Sequence, residues 1–144
     1  MSKQVNAVTS SCYNTLRMLR RIYKWIPTDT RKTVTQALVS SRLNYGNALY
    51  TGIPTKQLRC LQRIQNASAR LVLNVPRRNH ITPHLRDFHW LPVDKRITFK
   101  LLTHAHKALH NTGPAYLNNR LSFYTPTRQL RSADLALATV PRIH

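Results

Sequence analysis

Residues able to hold a metal or move a proton are few in this chain, and their spacing decides what they could do. His106 and His110 stand four apart, so two imidazoles on one helical turn could share a metal ion, with His104 near by. A zinc site would add Cys or carboxylate ligands, and a helical zinc protease needs Glu directly after its first His. Lys107 occupies that place and no cysteine is close. The series His80, His84, His89 fares no better. Two-metal phosphoryl transfer needs clustered carboxylates, yet the only acids are Asp29, Asp87, Asp94 and Asp134, no two adjacent, with no Glu anywhere. No serine sits in a nucleophile elbow. The expectation is no metal, no cofactor and no enzyme activity from this chain alone.

Positive charge is the stronger signal. Lys and Arg total 23 against four Asp, a formal net charge of +19, and Arg outnumbers Lys by 16 to 7. The Glu–Lys pairs that ordinarily support exposed helices are missing, so the field repels itself until something anionic neutralises it. Arginine offers phosphate a bidentate fork and stacks on bases. Nucleic acid is therefore the expected partner: RNA, DNA or an RNA/DNA hybrid. An anionic membrane surface, reached through an amphipathic first helix, is a weaker class.

At about 100° per residue, Arg59, Arg63 and Arg70 form one helical stripe, with Asn66 filling the gap, roughly 120° from the apolar side. Arg96, Lys100 and Lys107 repeat the design with Thr103 between them. Arg17, Arg20, Arg21 and Lys24 share a face opposite Val8 and Leu19. Each of these side chains can donate to phosphate oxygens, and they are the expected nucleic-acid contacts. Tyr13, Tyr45, Tyr50, Tyr116, Tyr124, Trp25 and Trp90 include candidate stacking platforms, although aromatics beside apolar helix faces are usually core, and Trp90 reads as a core anchor.

The stripes need helices to display them, and the apolar spacing predicts these. Val5, Val8, Cys12, Leu16, Leu19 and Tyr23 mark a first helix ending before Pro27. Thr28 and Asp29 open a second, with the acid at the positive end of the dipole; Val34, Leu38 and Ser41 mark its buried side. After Gly52 and Pro54, Thr55 caps a third helix with Leu58, Leu61, Ser68 and Val72 inside. Thr82-Pro83 reads as an N-cap followed by Pro at the first helical position, opening a short helix that ends near His89. Leu91-Pro92 restarts the chain, and Val93, Ile97, Leu101, Ala105 and Ala108 carry a long helix to about His110. Gly113-Pro114 opens a last short one. From about Phe123 the helical period is lost, and "DLALATV" reads as an edge strand with nothing evident to pair with.

The fold class expected is all-α: an irregular bundle of about four main helices plus short ones, over residues 1–121, with an extended or disordered tail over 122–144. Cys12 and Cys60 stand alone and read as small buried hydrophobes in a reducing compartment. No signal peptide or membrane span is visible in the sequence. The expected location is nuclear or cytoplasmic, not secreted.

Five stretches, "SRLNYGNALYTGIP", "LQRIQNASARLVLN", "HITPHLRDFHWLPVDKRITFKLL", "HKALHNTGPAYL" and "YTPTRQLRSAD", resemble in order the region after the polymerase core in LINE-type (non-LTR) retrotransposon reverse transcriptases, nearest to the Jockey-like and chicken-repeat group. The likeness runs from Val5 to Arg142. It implies the thumb and post-thumb helices that grip template and primer, downstream of the palm that carries the catalytic aspartates. It also implies that the chain is cut at both ends, since neither the endonuclease nor the Tyr/Phe-x-Asp-Asp motif is present and the family's chain continues past "VPR" into further segments. Arg42, Gln62, Asn66, Arg70, His80, Trp90 and Arg96 fall on recurrent polar or aromatic positions of the family. Asn44 and Gly46 depart from it, standing where Asp and Cys are usual, which removes one more acid and loosens the end of the second helix.

The expected function is thus that of a nucleic-acid-binding fragment of an RNA-directed DNA polymerase, lacking the active site and partnered by the polymerase palm. The alternative is a translated remnant without activity of its own, or a co-opted interaction module. The stretch from His80 to Lys100 is expected to be an elbow leading into a basic helix.

Overall fold

The computed structural model describes residues 2–126, 128 and 137–139. Helix α1 (Ser2–Ile22) buries Val5, Cys12, Leu16 and Leu19 and passes through a tight turn, Tyr23–Trp25, to Pro27. Helix α2 (Thr28–Thr35) carries Asp29 in its first turn and runs on through a π-helical turn, Gln36–Ser40, into α3 (Ser41–Asn44). The i→i+5 turn adds one residue to the rod and rotates the helix beyond it. The buried side is therefore Thr35, Val39, Ser40 and Leu43, while Leu38 and Ser41, expected inside, face out. Beyond α3 the chain reverses at Gly46, whose φ of 59° is open to glycine and strained for the Cys usual in the resembled family. The helix ends at Asn44, with the Tyr45 amide donating back to Ser41 O (2.9 Å).

Helix α4 (Thr55–Leu73) is the central element and ends at Asn74, left-handed at φ 55°. Leu61, Ile64 and Leu71 on one side pack with α1, α3, Val93 and Ile97 in the main core. On the other side, Ala69 and Val72 join Ile81, Leu85 and Trp90 in a second cluster, with the Phe88 ring 5.3 Å from that of Trp90. Helix α5 (Thr82–Asp87) begins one residue earlier than expected: Ile81 is its N-cap and Pro83 its second residue.

The elbow into α6 (Val93–Leu109) is gripped by α4. Gln65 Nε2 donates to Leu91 O (2.8 Å), and the Val93 amide donates to Gln62 Oε1 (2.8 Å), satisfying one of the orphan donors of the α6 N-terminus. Arg96 Nε also donates to Leu91 O (2.7 Å). Removing Gln62 strands the Val93 amide, whereas Leu91 O keeps Arg96 when Gln65 is removed. Gln62→Met is accordingly expected to cost about 1–2 kcal/mol and Gln65→Met less, in urea unfolding at equal m-value.

The chain forms two compact units whose boundary lies within α6, Met1–Thr98 and Phe99–His144. In the second unit α6 closes at Asn111, left-handed at φ 55°, with the Thr112 amide donating to Lys107 O (2.9 Å), and the Gly113 carbonyl accepts from Asn118 Nδ2 (3.1 Å) of α7 (Ala115–Asn118). The His106 and His110 rings lie 4.3 Å apart and tilted by 38°, and His110 meets Phe123 edge-on at 5.7 Å. Leu101, expected on the apolar side, is exposed. Of the "DLALATV" run, residues 137–139 are described and are paired: Phe123 and Ala138 form an isolated antiparallel bridge, with Tyr124 N donating to Leu137 O (2.7 Å) and Thr139 N to Ser122 O (2.9 Å). The fold is all-α; among the described residues this bridge is the only β pairing. Most of the expected tail lies outside the described residues.

Candidate nucleic-acid interface

Two of the three basic stripes meet in the first unit. Residues at i, i+3 or i+4, and i+7 share a helix face, so α1 presents Tyr13, Arg17 and Arg20 together, and α4 presents Arg63, Asn66 and Arg70. Both faces border the α1–α4 seam, because the core buries the neighbouring positions Leu16 and Leu19 on α1 and Ile64 and Leu71 on α4. The result is a groove. One cavity of about 650 Å³ is lined by Tyr13, Arg20, Tyr23, Arg63, Asn66 and Arg70, together with Asn74 and Arg77. A second of about 250 Å³ continues it along Leu16 and Arg17, and both share Tyr13, Arg20, Ala67 and Leu71.

No carboxylate lines either cavity. Among the described residues the ion pairs are Lys95–Asp94 at 3.9 Å and, if the imidazole is protonated, His84–Asp87 at 3.8 Å, so no described arginine has a carboxylate partner. Arg70 reaches across the end of α4 to donate from Nη2 to Asn79 O (3.4 Å), while its Nε is buried without a hydrogen-bond partner among the described residues. Asn66 accepts from Gln62 Nε2 through Oδ1 (2.9 Å), which leaves its amide nitrogen as a donor.

The remaining expected contacts sit elsewhere. Arg21, Lys24 and Arg59 are exposed but do not line the groove. Arg96 is half-buried and occupied: Nε holds Leu91 O and Nη1 donates to Asn44 Oδ1 (3.0 Å), with burial pulling its pKa down. It latches the elbow to α3 and does not join the groove. Lys100 and Lys107 are exposed on the part of α6 in the second unit, and the Thr103 hydroxyl between them donates to Phe99 O (2.7 Å).

Arg77, Asn74 and Tyr23 also line the larger cavity and belong to none of the basic stripes: Asn74 and Arg77 lie at and beyond the end of α4, where there is no periodicity to read, and Tyr23 follows the apolar period of the first helix. Tyr23 carries the Arg31 guanidinium over its ring at 5.4 Å. Of the other aromatics, Trp90 and Tyr50 are core, whereas Trp25 and Tyr45 are more than four-fifths exposed. Arg42 does a bracing job, donating from Nη1 to the hydroxyls of Ser11 and Thr15 (2.8 Å each) and so tying α3 to α1. Burial pushes the nearby Cys12 thiol up, with Arg42 opposing it, and burial raises the Tyr50 hydroxyl as well.

No group of three or more His, Cys, Asp or Glu able to hold a metal occurs among the described residues, and no helix there is long and apolar enough to cross a membrane. Compared with known protein families, curated proteins and solved structures, the chain matches none.

Proposed function

We propose that this chain is a nucleic-acid-binding piece of a retrotransposon reverse transcriptase, the thumb-like part that holds template and primer for a catalytic palm carried elsewhere. The observation that carries the reading is the α1–α4 groove: Arg17, Arg20, Arg63, Arg70 and Arg77 converge on it with no carboxylate to neutralise them. Such a site attracts a polyanion and repels cations. With four scattered Asp and no Glu, the chain supplies no carboxylate pair for two-metal chemistry, so it binds and the palm reacts. The resemblance of the five motifs to the family's post-palm region supports the same reading.

The test is binding of the purified chain to an RNA/DNA hybrid, an RNA hairpin and duplex DNA across a salt series. Each phosphate neutralised adds about 0.7–0.9 to the steepness of log affinity against log salt, so five occupied groove arginines give a slope of roughly 3.5 to 4.5 in magnitude. A preference for hybrid or hairpin is expected, since A-form shape differs from that of B-DNA. Equal binding to all three would reduce the chain to a polycation, and no binding at moderate salt would sink the reading.

A second reading, a co-opted interaction module, draws on Tyr45 and Leu49, which stand largely exposed after α3. It predicts a protein partner with binding that is insensitive to salt.

A further inference from the structure

We infer that the α1–α4 groove holds a single strand of nucleic acid, with one base stacked on Tyr13 and the flanking phosphates on the arginines. The inference rests on the nucleic-acid reading above and specifies which part of a template–primer the groove takes. Its first ground is shape. The two joined cavities are concave, of about 650 and 250 Å³, with Ala67 and Leu71 in both linings. Cavities of this size enclose small ligands or a nucleotide, whereas a duplex presents a convex surface and touches only the rims.

The second ground is Tyr13. The residue lies in the lining of both cavities and is 39% exposed, and among the described residues its ring has no aromatic or cationic partner. Tyr23 differs: Arg31 covers its ring and is itself fixed by donating from Nε to Ile26 O (2.7 Å) and from Nη1 to Val72 O (3.3 Å). One aromatic is thus committed to the fold and the other is open. A basic groove beside an open aromatic is the arrangement on which single strands bind, since every base has a π-face to stack.

The third ground is spread. Arg63 and Arg70 are seven residues apart on α4, about 10 Å along the axis, and Arg17 and Arg20 flank the seam from α1. That is too far for one phosphate and suits a backbone running along the groove.

The experiment compares three RNA/DNA hybrids: one blunt, one with a single-stranded oligo-U extension, and one whose extension carries the same phosphates on abasic residues. The oligo-U extension is expected to tighten binding by roughly ten-fold over the abasic one. Tyr13→Phe keeps that gain, and Tyr13→Leu abolishes it without changing the salt slope. If all three hybrids bind alike with a steep salt slope, the strand assignment falls while the nucleic-acid reading stands. If none binds, both fall. If free uridine monophosphate displaces the extended hybrid at the concentration at which the oligo-U strand does, the groove is a mononucleotide pocket and the strand assignment falls.

Discussion

Replacing Arg20, Arg63 and Arg70 together with Gln is expected to weaken binding of the hybrid that carries a single-stranded oligo-U extension about 100-fold or more near 0.1 M salt and to cut the salt slope by roughly 2 to 3. The three come from both walls of the groove, so the loss reports the site and not one helix. The control removes as much charge from exposed positions that do not line it, Arg21, Lys56 and Arg59. A protein that attracts nucleic acid only through its overall +19 would lose equally from either triple. A groove that seats phosphates loses far more from the first. Arg70 also braces Asn79 through a long hydrogen bond, so unfolding midpoints should be measured for both triples; surface substitutions of this kind usually stay within about 0.5 kcal/mol each. Equal losses in the two triples would remove the groove from the account of binding.

How much of the fold and the groove is legible in the sequence divides along physical lines. The long helices are, because Pro27, Pro54 and Pro92 punctuate the sequence and Val5, Cys12, Leu16 and Leu19 keep a helical period that burial then uses. The π turn at Gln36–Ser40 is not: no residue type encodes an i→i+5 bond, and a single added residue suffices to exchange Leu38 for Val39 inside. Each basic stripe can be drawn on its own helix, but that the α1 and α4 stripes border one seam is tertiary information. Arg96 shows the converse. It lies on a stripe by spacing, yet Asn44 and Leu91, distant and near in sequence, take up its guanidinium. Tyr13 is one of seven aromatics with nothing in the sequence to separate it from core, and only its exposure beside a groove does so. Gln62 and Gln65 give no sign of their role, since a buried amide that grips a remote elbow has no local signature.

Ile64→Ala tests whether the groove must be built in order to bind. Ile64 is fully buried in the main core, on the stretch of α4 that packs with α1. Deleting three buried carbons leaves a cavity and is expected to cost about 3–4 kcal/mol, against about 1 kcal/mol for Ile64→Val. Against a total of about 5–15 kcal/mol for typical domains, the alanine variant should melt well below the wild type while remaining folded in the cold. The charge is unchanged in every state. Binding of hybrid followed through the melt then separates two mechanisms that static affinity cannot. If arginines from α1 and α4 act as a positioned pair of walls, the variant binds normally while folded, and its affinity drops at its own unfolding midpoint. If affinity passes smoothly through that midpoint, the unfolded polycation is as good a ligand as the native protein. The geometry of the groove would then contribute nothing, and the charge alone would account for any partner this chain has.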